Sequence, residues 1–318
     1  MKGETSMQYA IRKCAGLAMT LLIVSVLVFL AFDLIPGDPV RQMLGTEASE
    51  ELVQATREEM GLNRPLPVRY GEWITGFVTG DLGTSFRYQL SVNEILGGRL
   101  PITLTLTVLS FIMVLLLAIP VGLLGAYYEK KIFDRVLMVG NQVVMSVPNF
   151  FAGMLLTLLF GLVLRWFTPG GFVPYHENPW GFLGFLILPA FAIALPRAAM
   201  ISKMFRNSLL AEMNKEYVRT ALSRGNSRWR TLVRHVFRNG FLPIVTMLGM
   251  TVAEIITSSI IIEQVFGIPG LGRVLITSIS HRDYPVVKAI VVLLALFILV
   301  MNVLVDVLYR KLDKRIEI

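Results

Sequence analysis

The chain is poor in cysteine, histidine and charge: one Cys, three His and 16% Asp, Glu, Lys and Arg among 318 residues. A single cysteine, Cys14, cannot close an internal disulfide. No four Cys or Cys/His residues stand at zinc-ligand spacing, so neither a disulfide framework nor a structural zinc module is expected. A phosphate-binding P-loop needs Gly-Lys followed by Ser or Thr. No Gly-Lys pair occurs anywhere, so no P-loop ATPase and no cofactor is expected on this chain. His176, His235 and His281 all lie outside the long apolar runs, which removes an intramembrane serine protease with a histidine base. The shortage of charge is itself diagnostic, because a water-soluble domain of this length carries about a quarter charged residues.

What is abundant is hydrocarbon. The chain is 54% hydrophobic with a mean hydropathy of +0.65. A membrane span needs roughly 20 apolar residues in a helix, since only a helix or a closed barrel satisfies its own backbone polar groups in lipid. Six runs qualify: Cys14–Ile35, Pro101–Ala126, Val136–Leu164, Phe182–Met200, Phe241–Ile262 and Val286–Leu308. The first follows Lys2, Arg12 and Lys13 as a signal peptide does, yet it is longer than a signal core of about 7 to 15 residues and no small-x-small cleavage site follows. It is therefore read as a retained span, and the expected fold is an all-α polytopic membrane protein with six transmembrane helices.

Lys and Arg in alternate loops orient the spans. The 1–13 tail holds three, the 127–135 loop three, the 201–240 loop nine and the 309–318 tail four. The opposite side holds six in 36–100 and two in 267–285. Both termini and the 201–240 loop are thereby placed in the cytoplasm, and 36–100 outside. Within 36–100, Ser49 is a helix N-cap ahead of Glu50 and Glu51, with Gly61 as the stop. Tyr70, Trp73, Ile74, Phe77 and Val78 then repeat at helical spacing. Either an amphipathic helix on the membrane surface or a small packed subdomain fits that pattern equally.

The basic loop is the most informative stretch. "RTALSRGNSRWRTLVRHVFRN", residues 219–239, has six arginines and no acid. Asn214 is a candidate cap for a short helix carrying Tyr217, Ala221 and Leu222, and Gly225 stands where a left-handed stop belongs. Ser227 can cap a second helix, in which Trp229, Leu232, Val233, Val236 and Phe237 form one apolar face while Arg230, Arg234 and Arg238 form a row on another. Anionic lipid, nucleic acid and a cytoplasmic protein compete for such an element. No reading module for nucleic acid surrounds the arginines, a lipid anchor does not require a capped elbow, and a protein docking site explains it best.

Ionisable and polar residues inside spans are candidates for a transport pathway, since each costs several kcal/mol unless paired or hydrated. Glu254 lies mid-span with Thr257, Ser258 and Ser259 after it, and either faces a cavity or bonds another helix. Asn141 and Gln142 form a weaker pair of the same kind. Asp33, Lys288, Asp306 and Arg197 sit nearer span ends, where snorkelling or pairing suffices. Pro120, Pro148, Pro189 and Pro196 interrupt spans and read as kinks.

At the basic loop the chain resembles the membrane permeases of binding-protein-dependent ABC importers. Their cytoplasmic signature runs E-A-A, three residues, G, nine residues, I-x-L-P; here Ala221 and Gly225 match, while Arg219, Thr220, His235 and Phe237-Arg238 depart. The departures are similar to the peptide and nickel branch, in Tyr217-Val218-Arg219-Thr220-Ala221, Gly225, Arg234-His235, Arg238-Asn239 and Leu242-Pro243. "IPGDP" at 35–39, "GLNRPL" at 61–66, "GDLGTSF" at 80–86, "RLPITLTL" at 99–106, "SVPNFF" at 146–151, "IIEQVFGIPGLG" at 261–272 and "RDYPVV" at 282–287 resemble that branch in the same order. The resemblance implies a permease core at 101–308, with Tyr217, Arg219, Thr220, Ala221, Gly225, Asn226 and Arg228 in the coupling elbow that seats on an ATPase. Glu254, Ser258, Asn141 and Gln142 are then candidates for the pathway. It also implies partners: a second permease, often a different chain, two ATPase subunits carrying ATP and Mg, an extracytoplasmic solute-binding protein and the bilayer, with no nucleic acid. Cargo in that branch includes dipeptides, oligopeptides, glutathione and nickel or its chelates. A stand-alone secondary transporter or channel is the alternative, and it needs no capped elbow.

Overall fold

The computed structural model describes residues 6–33, 39–45 and 48–312. Helices form throughout, because a run of apolar residues has no other way to satisfy its backbone away from water. In order they are α1 (Ser6–Asp33), α2 (Pro39–Leu44), α3 (Glu50–Glu59), α4 (Leu66–Thr79), α5 (Val92–Gly97), α6 (Leu100–Tyr127), α7 (Ile132–Met145), α8 (Asn149–Leu156), α9 (Pro179–Met213), α10 (Glu216–Ser223), α11 (Arg228–Thr231), α12 (Phe237–Phe266), α13 (Leu271–Ser280) and α14 (Tyr284–Leu312). Short π-helical stretches prolong α8 over Thr157–Val163 and join α11 to α12 over Leu232–Val236. No strand forms among the described residues.

The chain divides into two compact units, residues 1–102 with 269–299, and residues 103–268 with 300–318. In the first, α4 lies against α1. Tyr70 and Trp73 of α4 place their rings 5.4 and 5.8 Å from Phe29 of α1. Ser25 and Tyr70 share a 2.8 Å hydrogen bond. Arg69 forms a 2.5 Å ion pair with Asp33, and the Lys288 ammonium lies 4.2 Å from the Phe29 ring centroid. α4 thus packs on α1 through its aromatic residues, with none of its own side chains fully buried. Ser49 caps α3 as expected, accepting from the Leu52 N–H, and Gly61 adopts φ +65° just past the helix. "IPGDP" lies outside the described residues except for Pro39, as does the C-terminal tail beyond Leu312.

In the second unit α9 and α12 form the centre, with α7 and α8 packed on α9. Ala190, Ala192, Ile193 and Ala194 of α9 and Ile255, Ile256 and Ser259 of α12 are essentially inaccessible. α6 reaches α9 through Gly122: a Cβ there would stand 2.7 Å from Phe205 Cδ1 and 3.0 Å from the Ser202 carbonyl oxygen. Small residues let backbones approach this closely, which is how spans gain dispersion energy where lipid is as apolar as leucine.

Among the described residues, five helices are long and apolar enough to cross a membrane. The third expected span departs from the sequence reading. Val136–Leu164 is not one rod but two helices, Ile132–Met145 and Asn149–Val163, bent by 101°. The cause is Pro148, which has no N–H to donate and disfavours helical geometry at Val147 before it. Counted as one span, the bent pair is the sixth. Pro120, Pro189 and Pro196, by contrast, stay inside continuous helices, α6 and α9. α9 also extends beyond the expected Phe182–Met200 to Met213, so the first third of the 201–240 loop is helix.

Gly122→Leu is expected to lower the melting temperature of the detergent-solubilised protein, by the ~1–3 kcal/mol typical of overpacking. An unchanged thermal transition in a fluorescence melt would show that α6 yields freely at this contact.

Candidate functional site

The elbow is assembled from both of the central helices. α9 closes at Asn214, whose N–H bonds back to Ala211 and Glu212, so Asn214 ends one helix instead of starting the next. The N-cap of α10 is Lys215, which supplies no side-chain acceptor. Its ammonium instead reaches Glu212 at 2.6 Å, on the α9 side of the bend. The Tyr217 hydroxyl donates to Glu212 at 2.7 Å and receives the Asn239 amide at 3.3 Å, which ties α10 to α9 and α12 together. Burial pushes the Tyr217 phenol above its ordinary value; Asn239 opposes the rise and the neighbouring Glu212 carboxylate adds to it. The phenol therefore remains a neutral donor at physiological pH.

Val218 and Ala221 turn inward, so Arg219, Thr220 and Leu222 are left exposed on the other side of α10. Gly225 then reverses the chain at φ +85°. Its N–H bonds to the Leu222 carbonyl at 2.9 Å, and the Asn226 side chain donates to the Ala221 carbonyl at 3.0 Å, satisfying the last carbonyls of α10. Ser227 caps α11 through the Arg230 N–H at 3.3 Å. Arg228 reaches back to Glu129 at 2.8 Å, and Trp229 sets its edge on Tyr127 at 5.2 Å. Both contacts anchor the return limb to the end of α6. What is left outward is the turn: Ser223, Arg224 and Gly225 are exposed.

One apolar expectation fails in detail. Leu232 and Val236 are buried, yet Trp229 and Val233 are each more than two-fifths exposed. The π-helical turn at Leu232–Val236 is the reason, since its wider turn shifts the angular register that a 3.6-residue period assumes. Arg230, Arg234 and Arg238 are exposed as expected.

The pathway candidates fall between α7, α8, α9 and α12. Glu254 pairs with Arg197 at 2.7 Å. Arg197 lies midway along the lengthened α9, three residues before the end of the apolar run Phe182–Met200. Asn141 donates to the Ser202 hydroxyl at 2.9 Å and Gln142 accepts from Lys203 at 3.1 Å, so both face α9. Ser258 receives the Asn149 amide at 2.6 Å from the first residue of α8. An open cleft of about 420 Å³ lies here, with Ser146, Pro148, Asn149, Arg197, Thr257 and Ser258 in its wall.

Besides Glu212, three further buried acids among the described residues escaped sequence reasoning. Asp134 forms a two-pronged pair with Arg206 at 2.6 Å on each oxygen, joining α7 to α9. Glu263 is fully buried and accepts from the Thr103 hydroxyl at 2.6 Å. Asp283, also fully buried, accepts from the Ser85 hydroxyl at 2.5 Å and the Phe86 N–H at 2.9 Å. Asp283 joins "GDLGTSF" to "RDYPVV", two motifs almost two hundred residues apart, and that separation hid the link. Glu263 stands one residue past the expected end of the fifth run, and its place in "IIEQVFG" was the available signal.

An all-α chain with these spans and this elbow is a polytopic membrane protein. Residues 118–318 match the family described as binding-protein-dependent transport system inner membrane component, and residues 6–107 match the N-terminal membrane-component segment of such systems. The chain belongs to this family: it is a multi-pass inner-membrane permease subunit of an ABC importer, a non-catalytic component whose system includes ATPase, substrate-binding and further permease partners. A stand-alone transporter is thereby set aside. A putative peptide transport system permease protein of Brucella abortus is 37% identical over 96% of this chain and 98% of its own length. The glutathione transport system permease protein of Salmonella choleraesuis is 36% identical over 98% and 99%. A probable peptide ABC transporter permease protein of Sinorhizobium fredii is 34% identical over 97% and 99%.

Asp134→Asn strands the Arg206 guanidinium in a nearly closed site, and breaking a buried pair costs about 3–5 kcal/mol. A clear drop in melting temperature is expected, with partial recovery in Asp134→Asn/Arg206→Gln, where no charge is left alone. Equal melting temperatures for the native and single-variant proteins would assign the pair no structural weight.

Proposed function

We propose that this chain forms half of the translocation pathway of an ATP-driven importer for peptides or a related small cargo, and that its elbow is where ATP hydrolysis on a separate subunit is felt. The observation that carries the reading is the turn at Gly225. A left-handed residue closes α10, both limbs are anchored to α6, α9 and α12, and the turn is offered outward together with the exposed side of α10. An element held on three helices and free at its tip is suited to move those helices when a partner grips it. Tyr217, Ala221, Asn226 and Arg228 hold the shape, while Arg219, Thr220 and Gly225 stand on the exposed side. ATP and Mg belong on two ATPase subunits, and a solute-binding protein delivers the cargo from outside. The second permease is another chain of the same kind or a different one. The Lys and Arg distribution supports a cytoplasmic position for both termini and the elbow.

Peptide cargo is supported by relatives that cover nearly the whole chain and whose names state peptide or glutathione transport. Nickel and its chelates draw no such support from them. ATP and the loaded binding protein would each bias an arrangement that opens to one side or the other.

Uptake of a labelled tripeptide should be lost in cells without this chain and restored by complementation. Unchanged uptake in the deletion strain, with parallel peptide systems removed, would transfer the cargo assignment elsewhere. Gly225→Val is expected to leave insertion and assembly intact, because a Cβ at Gly225 meets nothing within 4 Å. The strain is conformational: a β-branched residue resists φ +85°. Stimulation of ATP hydrolysis by the loaded binding protein should fall several-fold, and full stimulation in this variant would remove the elbow from the coupling path.

A further inference from the structure

We propose that the cleft beside the Arg197–Glu254 pair is a carboxylate-binding station, which holds the anionic end of a peptide during its passage. The proposal rests on the peptide reading above and assigns a chemistry to one place within it.

Arg197 and Glu254 lie within the apolar runs Phe182–Met200 of α9 and Phe241–Ile262 of α12. Charges within such runs persist where they are paired or reached by water. This pair is not sealed: the two side chains are 27% and 42% exposed, and Arg197 lines the cleft. The guanidinium is also only partly used. Nη1 is held by Glu254 at 2.7 Å, while Nε is buried with no hydrogen-bond partner. A guanidinium carries five donors in a planar fork that matches a carboxylate.

A second source of positive potential meets the same cleft. The break at Pro148 starts α8 in the cleft wall, with Asn149 and Phe150 lining it. Pro148, the N-cap, provides no side-chain acceptor for the first-turn N–H groups. The Asn149 side-chain N–H donates to the Ser258 hydroxyl at 2.6 Å. A helix start with open N–H groups favours an anion. Ser146, Thr257 and Ser258 also line the wall, with the Ser146 and Thr257 hydroxyls donated to the Gln142 and Ala253 carbonyls. Glu254, the one acid nearby, is not part of the lining; it holds Arg197 from the side and orients it. A volume of about 420 Å³ accommodates one peptide terminus with its first side chain, and not a folded chain.

The test uses the assembled importer, with Thr257→Cys introduced on a Cys14→Ser background as a thiol reporter in the cleft wall. Maleimide labelling is timed against a tripeptide with a free C-terminal carboxylate and against its C-terminal amide. The free tripeptide should protect at about tenfold lower concentration than the amide, the scale of a hydrogen bond to a charged group. In Arg197→Gln/Glu254→Gln, which strands no charge, the two peptides should protect alike. Equal protection by both peptides with Arg197 present, a preference that survives the double substitution, or protection by neither would each overturn the proposal. ATP hydrolysis stimulated by the loaded binding protein is measured on the same preparations. Its retention alongside a failed protection result confines the failure to the cleft, whereas its absence with Arg197 and Glu254 in place sinks the importer reading.

Discussion

Inside hydrocarbon every backbone N–H and C=O must find its partner within the protein, and the remaining architecture follows from that constraint. It makes the apolar runs helical, and it makes each departure from a helix conspicuous. Where Pro148 withholds an N–H the third span folds through 101° and starts a second helix. Where the chain leaves α11 it widens into a π-helical turn before entering α12. The first departure opens a cleft and the second sets the return limb of the elbow, so both places of chemical interest sit where the regular ladder is interrupted.

α9 connects them. It carries Arg197 at its middle and Glu212 at its end, and α12 answers with Glu254 and Asn239. The two helices therefore share polar contacts at the cleft and again at the elbow, with tight apolar packing between. Asp134 and Arg206 clamp α7 to the same helix, and Gly122 brings α6 against it. Movement imposed at the elbow has a short, stiff route to the cleft, because packed helices shift as bodies and do not stretch.

In the unit of residues 1–102 and 269–299, polar groups serve a different end. Asp283 gathers the Ser85 hydroxyl and the Phe86 N–H, and Asp33 holds Arg69 over a cluster of aromatic rings. Buried carboxylates of this kind are stable only when their acceptors are filled. The short motifs that surround them are then understandable as the donors that each acid requires.

The amino-acid sequence alone determined the helical membrane class, five of the six expected spans as continuous helices, and the Gly225 elbow with its Ser227 cap. These depend on local properties, hydropathy over a window and the φ that one residue tolerates, and local properties are legible along a chain. The sequence pointed to Glu254 and to Pro148 without saying what either did. Only the tertiary structure decided that Arg197 is the partner of Glu254, that Pro148 breaks its helix while Pro189 and Pro196 do not, and that Asp134, Glu263 and Asp283 are buried. Each of those outcomes turns on what another helix, tens or hundreds of residues away, places within a few ångströms, and no periodicity in one segment records that.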